Sequence, residues 1–396
     1  MKSQQNRAYF TLTLAYAGFL MLGLGSGILG VAWPTMRAEF GMALDAMSYL
    51  LVAGTIGYTL VSANSGRLAQ RYGMRWLLVG GVLTTALASF LQAFAPVWLV
   101  LIAGAFFASA GAAALDAGLN LYAAAHYSPR VMNWLHASFG FGSVLSPLMM
   151  RTIFEADRSW RVGYVVAGVL NVALATACFF AVWRSLAVLS QPDGVSRSER
   201  LPLRATIRLP LVWLSVSVFA LYVGAEITPG NWSYSFLTEG RLIDTATASL
   251  WVSFFWGGLT AGRVFFGLIA HRFKLETILR VAMALGVLAL LALWFGGTSV
   301  LTFAGLTLLG FSQGPIFPLL MSATPGRLGQ HAANAIGLQM AMVGIGSAAF
   351  PSLAGILANR IGLEIIPPFV LLLTVAMIAI HEALIARSRR PVAAAA

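Results

Sequence analysis

Apolar stretches of about 20 residues, each long enough to cross about 30 Å of hydrocarbon, recur along this chain with short polar breaks between them. The pattern predicts membrane-spanning helices near 8–33, 45–65, 75–94, 97–125, 133–154 and 161–184, then 210–237, 246–270, 276–296, 298–323, 332–358 and 365–386. Between the sixth and seventh lies the one long polar stretch. Gln191, Pro192, Asp193 and Gly194 supply its turn formers, and four arginines follow them. This reads as a cytoplasmic linker, 185–209, joining a six-helix half at 1–184 to a second at 210–396. The expected fold class is an all-α membrane protein of 12 transmembrane helices in two pseudo-symmetric six-helix bundles.

The halves repeat in sequence. Gly140, Gly142, Ser143 and Pro147 in the fifth span (GFGSVLSP) return at the same spacing as Gly344, Gly346, Ser347 and Pro351 in the eleventh (GIGSAAFP). After the second span, Gly66, Leu68, Ala69, Arg71 and Tyr72 (GRLAQRY) return after the eighth as Gly267, Ile269, Ala270, Arg272 and Phe273 (GLIAHRF). Two independent matches, both roughly 200 residues apart, mark an internal duplication.

Composition strengthens the membrane reading. The 396 residues are 59% hydrophobic and 10% charged, with a mean hydropathy of +0.82, too few polar groups to cover a water-soluble surface. A net charge of +12 could suit nucleic acid, but the basic residues lie between spans and cluster on no soluble domain. Placing the amino terminus in the cytoplasm puts roughly nineteen of the 25 Lys and Arg on that side, so the expected location is a bacterial inner membrane with both termini inside. The first apolar stretch follows Lys2 and Arg7 as a signal peptide would, yet it is too long and lacks a small-residue cleavage site, so it is expected as a retained helix. Cys178, the single cysteine, falls inside a span, which excludes an internal disulfide and any cysteine-based metal site.

The loop Gly66–Arg75 (GRLAQRYGMR) resembles the signature loop between the second and third helices of the major facilitator superfamily, with Gln70 where that loop carries an acid. Within that superfamily, LDAGLNLYA at 115–123, SFG at 138–140, LYVGAEITPG at 221–230, GRVF at 262–265 and GFSQGPIFPL at 310–319 resemble the fucose:proton symporter family. The resemblance implies two halves related by an axis along the membrane normal, with a solute site near the midplane at their interface. It assigns gating to Gly66, Arg67, Arg71 and Arg75 and to their repeat, Gly267 and Arg272. It also matches Asp116 to a cavity glutamate of that family implicated in proton coupling.

An ionised side chain at the centre of a membrane helix costs about 2.5–3.5 kcal/mol on insertion scales, so each one calls for an explanation. Asp116 lies within the fourth span, with Asn120 one turn on along the same face. Gly104, Gly111 and Gly118 recur every seven residues, and Gly118 points roughly 200° away from Asp116. The glycines would admit a neighbouring helix, leaving Asp116 and Asn120 for a cavity or for a helix–helix hydrogen bond. In the seventh span Glu226 follows Tyr222 by a turn and precedes Pro229 and Gly230, which are expected to interrupt the helix. Asn231 and Trp232 then offer an amide and a ring face to a sugar, or form an interfacial belt. Arg263 pairs with an acid or snorkels to the headgroups. His136 titrates near neutrality or stays neutral on a backbone carbonyl.

Gln313, Asn334 and Gln339 are lesser polar candidates for the opposite cavity wall, with interhelical glue as the alternative. Pro147, Pro351, Pro315 and Pro318 are expected to bend helices that gate. No phosphate-cradling loop, metal-ligand cluster or nucleophile with a placed base occurs, so neither catalysis nor a cofactor is expected. The expected function is secondary active transport of a small polar solute, a sugar or related compound, by alternating access with proton-coupled symport. Na⁺ is an alternative coupling ion, and proton-driven efflux of drugs or amphipathic metabolites an alternative direction. The partners are then the solute, the proton and the bilayer, with no nucleic acid and a monomeric state.

Overall fold

A computed structural model describes residues 2–126, 129–184, 202–297 and 299–388. Most of the expected linker, 185–201, lies outside the described residues. The elements are helices throughout: α1 Lys2–Glu39, α2 Met47–Tyr72, α3 Met74–Ala93, α4 Trp98–His126, α5 Pro129–Glu155 and α6 Arg161–Arg184, then α7 Leu203–Ile207, α8 Pro210–Ser235, α9 Thr245–Ile269, α10 Leu275–Phe295, α11 Ser299–Gln313, α12 Ile316–Leu328, α13 Ala332–Ile361 and α14 Ile366–Ser388. Among the described residues, ten stretches are long and apolar enough to cross a membrane, one of them a 63-residue run that holds α11, α12 and α13. Helix α5 is not among the ten, as His136, Arg151 and Glu155 dilute its apolar character.

The chain divides into two compact units, one of 1–195 with 237–256 and one of 196–236 with 257–396. In the first, α1 runs along α5 at a separation that only glycine allows. A Cβ on Gly23 would strike the Phe139 carbonyl, and one on Gly142 the Leu20 carbonyl. Helix α4 lies between α2 and α3 and packs on both. Its glycine stripe faces α3: Gly104 meets Gln92, Gly111 meets Gly81 and Thr85, and Gly118 meets Leu78 and Met74. Gly73, at φ +84°, makes the tight turn from α2 into α3. Arg161 ties together the ends of three helices by donating to the carbonyls of Ala93 (2.8 Å) and Ala95 (2.9 Å) and to Glu39 (2.6 Å). Glu39 also accepts from the Trp160 indole at 2.7 Å.

In the second unit α8 packs against α13 and α14 around Val218, Phe219, Tyr222, Leu279, Met283, Ile316, Leu320 and Met377. Here the sequence repeat becomes physical. Gly142 in α5 lets α1 approach, and Gly346 at the same repeat position in α13 sits against Val223 and the Ala220 carbonyl of α8. Pro147 and Pro351 lie inside α5 and α13 respectively.

The seventh span departs from expectation. Helix α8 is not interrupted at Pro229 and Gly230; it runs on to Ser235 and ends in a π-helical turn, Phe236–Gly240. A proline forfeits one backbone hydrogen bond, whereas opening the helix in apolar surroundings would strand several more. The break falls instead in the tenth span, where Gly314 and Pro315 separate α11 from α12. Gly314 is pressed against α9: a Cβ there would lie 2.5 Å from both the Arg263 nitrogen and the Leu259 carbonyl oxygen. With no room for a side chain and no N–H on the next residue, the backbone separates at this point.

Candidate functional sites in the two units

Gly54 and Gly57 bring α2 close to α4, the first against Ser109 and the second against the Phe106 carbonyl. One residue further on, Tyr58 reaches across and its hydroxyl donates to Asp116 Oδ2 at 2.5 Å. Asn120 Nδ2 donates to Asp116 Oδ1 at 2.8 Å and to the Asp116 backbone oxygen at 2.9 Å. Asp116 is half-buried, and each carboxylate oxygen has a donor. Hydrogen bonds to a charged acceptor are worth about 1.5–3 kcal/mol each, enough to offset much of the cost of placing the acid within a span.

The second unit holds its own acid. Glu226 is 8% exposed, and Arg263 Nη2 of α9 donates to its Oε1 at 3.4 Å. Tyr222, a turn before Glu226 and buried, donates to the Gln313 backbone oxygen at 3.5 Å, the last carbonyl before the break in the tenth span. Among the buried polar atoms of this unit without a hydrogen-bond partner among the described residues are Arg263 Nε and Gln313 Oε1. One is a donor and the other an acceptor.

The remaining expected residues are distributed as follows. Trp232 is fully buried, its indole N–H donating to the Pro351 carbonyl at 2.8 Å and its ring packed on Gly355. Asn231 beside it is 7% exposed. Gln339 is buried and donates to Ser215 (2.7 Å) and Thr324 (3.1 Å), tying α13 to α8 and α12. Asn334 donates to Thr206 of α7 at 3.0 Å. His136 is exposed, with its ring edge-on to Phe19 at 5.1 Å. Gly66, Arg67 and Arg71 are exposed at the end of α2, and Gly267 and Arg272 at the end of α9. Arg71 lies over the ring of Tyr72 at 5.4 Å, and Arg75 over that of Trp76 at 4.8 Å. Sequence reasoning missed Tyr58, whose one signal is its place directly after a pair of glycines at helical spacing.

The family model for the Major Facilitator Superfamily matches residues 15–351. The chain is 24% identical over 388 residues to bypass of stop codon protein 6 of Saccharomyces cerevisiae, covering 88% of this chain and 77% of that one. It is 21% identical over 360 residues to the glucose/mannose transporter GlcP of Bacillus subtilis, covering 88% of each. Among solved structures, the nucleoside transporter NupG, crystallised as a point mutant, superposes with a TM-score of 0.78 at 13% identity over 95% of this chain and 99% of that one. That last likeness is one of fold.

Proposed function

The chain belongs to the Major Facilitator Superfamily and is a transporter, and on that premise we propose that it moves a sugar or a chemically similar polyol by proton-coupled symport. The described helices are read as twelve crossings in two bundles, with α7 outside the membrane and α11 and α12 sharing one crossing. The chain is read as a monomer in a bacterial inner membrane, with both termini cytoplasmic.

The observation that carries the solute reading is that two of the second unit's buried unmet groups, Arg263 Nε and Gln313 Oε1, belong to residues in contact with Glu226 and Tyr222. A buried polar atom without a partner costs about 1–3 kcal/mol. A polyhydroxylated solute offers both a donor and an acceptor on neighbouring hydroxyls and relieves both deficits at once. Similarity to a glucose/mannose transporter supports the same class. For coupling, the acids Asp116 and Glu226 each lie within an apolar span, Asp116 accepting from Tyr58 and Asn120 and Glu226 from Arg263. Each takes up or loses a proton as alternating access changes the side to which it is open. One proton falling through about 100 mV provides about 2.3 kcal/mol, equivalent to roughly fifty-fold solute accumulation.

Uptake of labelled glucose, mannose and fucose into proteoliposomes, with pH and Na⁺ gradients imposed separately, tests this. The expected result is uptake driven by an inward proton gradient and abolished in the Asp116→Asn, Glu226→Gln double variant. Uptake that follows Na⁺ and ignores pH would overturn the proton assignment. Drug extrusion without sugar uptake would overturn the solute class.

A further inference from the structure

Helix α14 turns one face into the core of the second unit, and along that face Met377 and Leu384 pack in one cluster with Leu279, Met283 and Leu320. His381 stands between them at helical spacing and is fully buried. Neither of its ring nitrogens has a hydrogen-bond partner among the described residues. A carboxylate oxygen, Glu382 Oε1, lies 3.7 Å from Nδ1, too far for a hydrogen bond but within reach of a small rotation. The transport reading above uses none of these groups.

Four charged side chains act on the ring: Glu382 of its own helix, Glu276 and Arg280 of α10, and Arg327 of α12. Helix α8, which also packs on α14, brings no titratable group between Pro210 and Leu221, and Tyr222 and Glu226 come further along it. Arg360 of α13 and Glu364 of the turn before α14 lie at the opposite end of that helix. Arg280 clasps Glu382 through two hydrogen bonds of 2.7 Å, from Nε and from Nη2. Arg327 holds Glu276 more loosely, at 3.8 Å, although its side chain is mostly buried, and its Nη2 has no hydrogen-bond partner among the described residues. Two carboxylates therefore serve two guanidinium groups. A proton on His381 adds a third cation, and one of the three must then go without.

We propose that His381 is a proton-sensing switch at the end of the second unit where α10 begins and α12 and α14 finish. The imidazolium draws Glu382 away from Arg280; Arg280 takes Glu276, one turn before it on α10; and Arg327, whose pair is the longest of the set, is released together with the last turn of α12. Helix α12 is the second half of the divided tenth span, whose first half ends at Gln313. A proton at one end of α12 thus acts on the segment that adjoins the proposed solute contact. On the orientation proposed above this end faces the cytoplasm, so the acid that symport delivers there feeds back on the carrier. The switch itself is independent of which solute is carried.

Hydrogen–deuterium exchange of the full-length protein in detergent, read over 322–331 by mass spectrometry, tests this at about pH 8 and about pH 5.5, either side of the ordinary histidine value. The intrinsic effect of pH on exchange is divided out. In the wild type the segment is expected to exchange about five-fold faster at the lower pH, as the loss of one ion pair implies. His381→Leu, which keeps an apolar group in the core and takes no proton, is expected to lose that acceleration. Glu382→Gln, at a partly exposed position, leaves one carboxylate for two guanidinium groups, so fast exchange is expected at both pH values. Equal protection of the wild-type segment at the two pH values would overturn the proposal. So would undiminished acceleration in a folded His381→Leu protein, or wild-type behaviour in Glu382→Gln. None of these outcomes depends on the sugar reading, which stands or falls on uptake.

Discussion

At the scale of single residues, the acid of the first unit depends on a tyrosine from another helix. Replacing Tyr58 by Phe removes the donor to Asp116 Oδ2 and little else. A hydrogen bond to a charged group is worth about 1.5–3 kcal/mol, so a roughly ten-fold or greater fall in proton-driven uptake is expected, with protein yield near wild type. Initial-rate uptake at matched expression checks this. Gln313→Leu removes one unmet buried acceptor of the second unit; on the proposed sugar reading it is expected to weaken solute binding about ten-fold while slightly raising the melting temperature of the empty protein, since a buried deficit disappears. Half of the Asp116 arrangement was legible in the sequence, because Asn120 lies four residues on and a helix must bring the two together. Tyr58 was not, because its partner is 58 positions away and no local period links them. Trp232 shows the opposite difficulty. Its amphipathic ring suits a sugar or an interface equally well, and only the acceptor at Pro351 identifies the partner of its N–H.

At the scale of elements, glycine contacts and caps set how the helices stand. Gly142→Leu drives a side chain into the Leu20 carbonyl of α1. Overpacking a well-packed contact costs typically 1–3 kcal/mol, and more where backbone must yield, so reduced yield and a lower melting temperature in detergent are expected. The start of α9 is held differently. Asp244 Oδ1 accepts from the Thr247 N–H at 2.8 Å, and these backbone donors hold its carboxyl below the usual aspartate range. Because the folded value is the lower one, the cap's contribution is present above the ordinary aspartate value and is lost as pH falls through the folded one. Asp244→Ala is expected to cost about 1 kcal/mol at neutral pH, and the gap in melting temperature from wild type is expected to close in strong acid. The exposed position and salt screening keep the charge part of that effect small. Helix existence was legible from apolar run length alone, since a bilayer rewards length. The continuity of α8 through Pro229 was not, because the choice between breaking and continuing depends on which neighbours can take up the freed carbonyls. The break at Gly314 is the converse case, decided by how closely α9 presses on it.

At the scale of the whole molecule, the distribution of basic residues makes the orientation testable. With Cys178 replaced by serine, the chain has no thiol, so single cysteines report the side of each loop. Leu242→Cys, at an 85% exposed position before α9, is expected to react with a membrane-impermeant maleimide in intact cells. Arg272→Cys, exposed after α9, is expected to react only after permeabilisation. The reverse pattern would invert the topology drawn from the positive-inside rule. The divided tenth span also bears on how the chain folds. Helix α11 has 15 residues and α12 has 13, about 22 Å and about 20 Å in length, so neither alone crosses about 30 Å of hydrocarbon. Between them the Gln313 carbonyl relies on Tyr222, and Gly314 fits only against a helix already in place. The two short helices are therefore expected to settle as one crossing only against α8 and α9, so Tyr222→Ala or Leu259→Trp is expected to lower the yield of folded protein at matched expression.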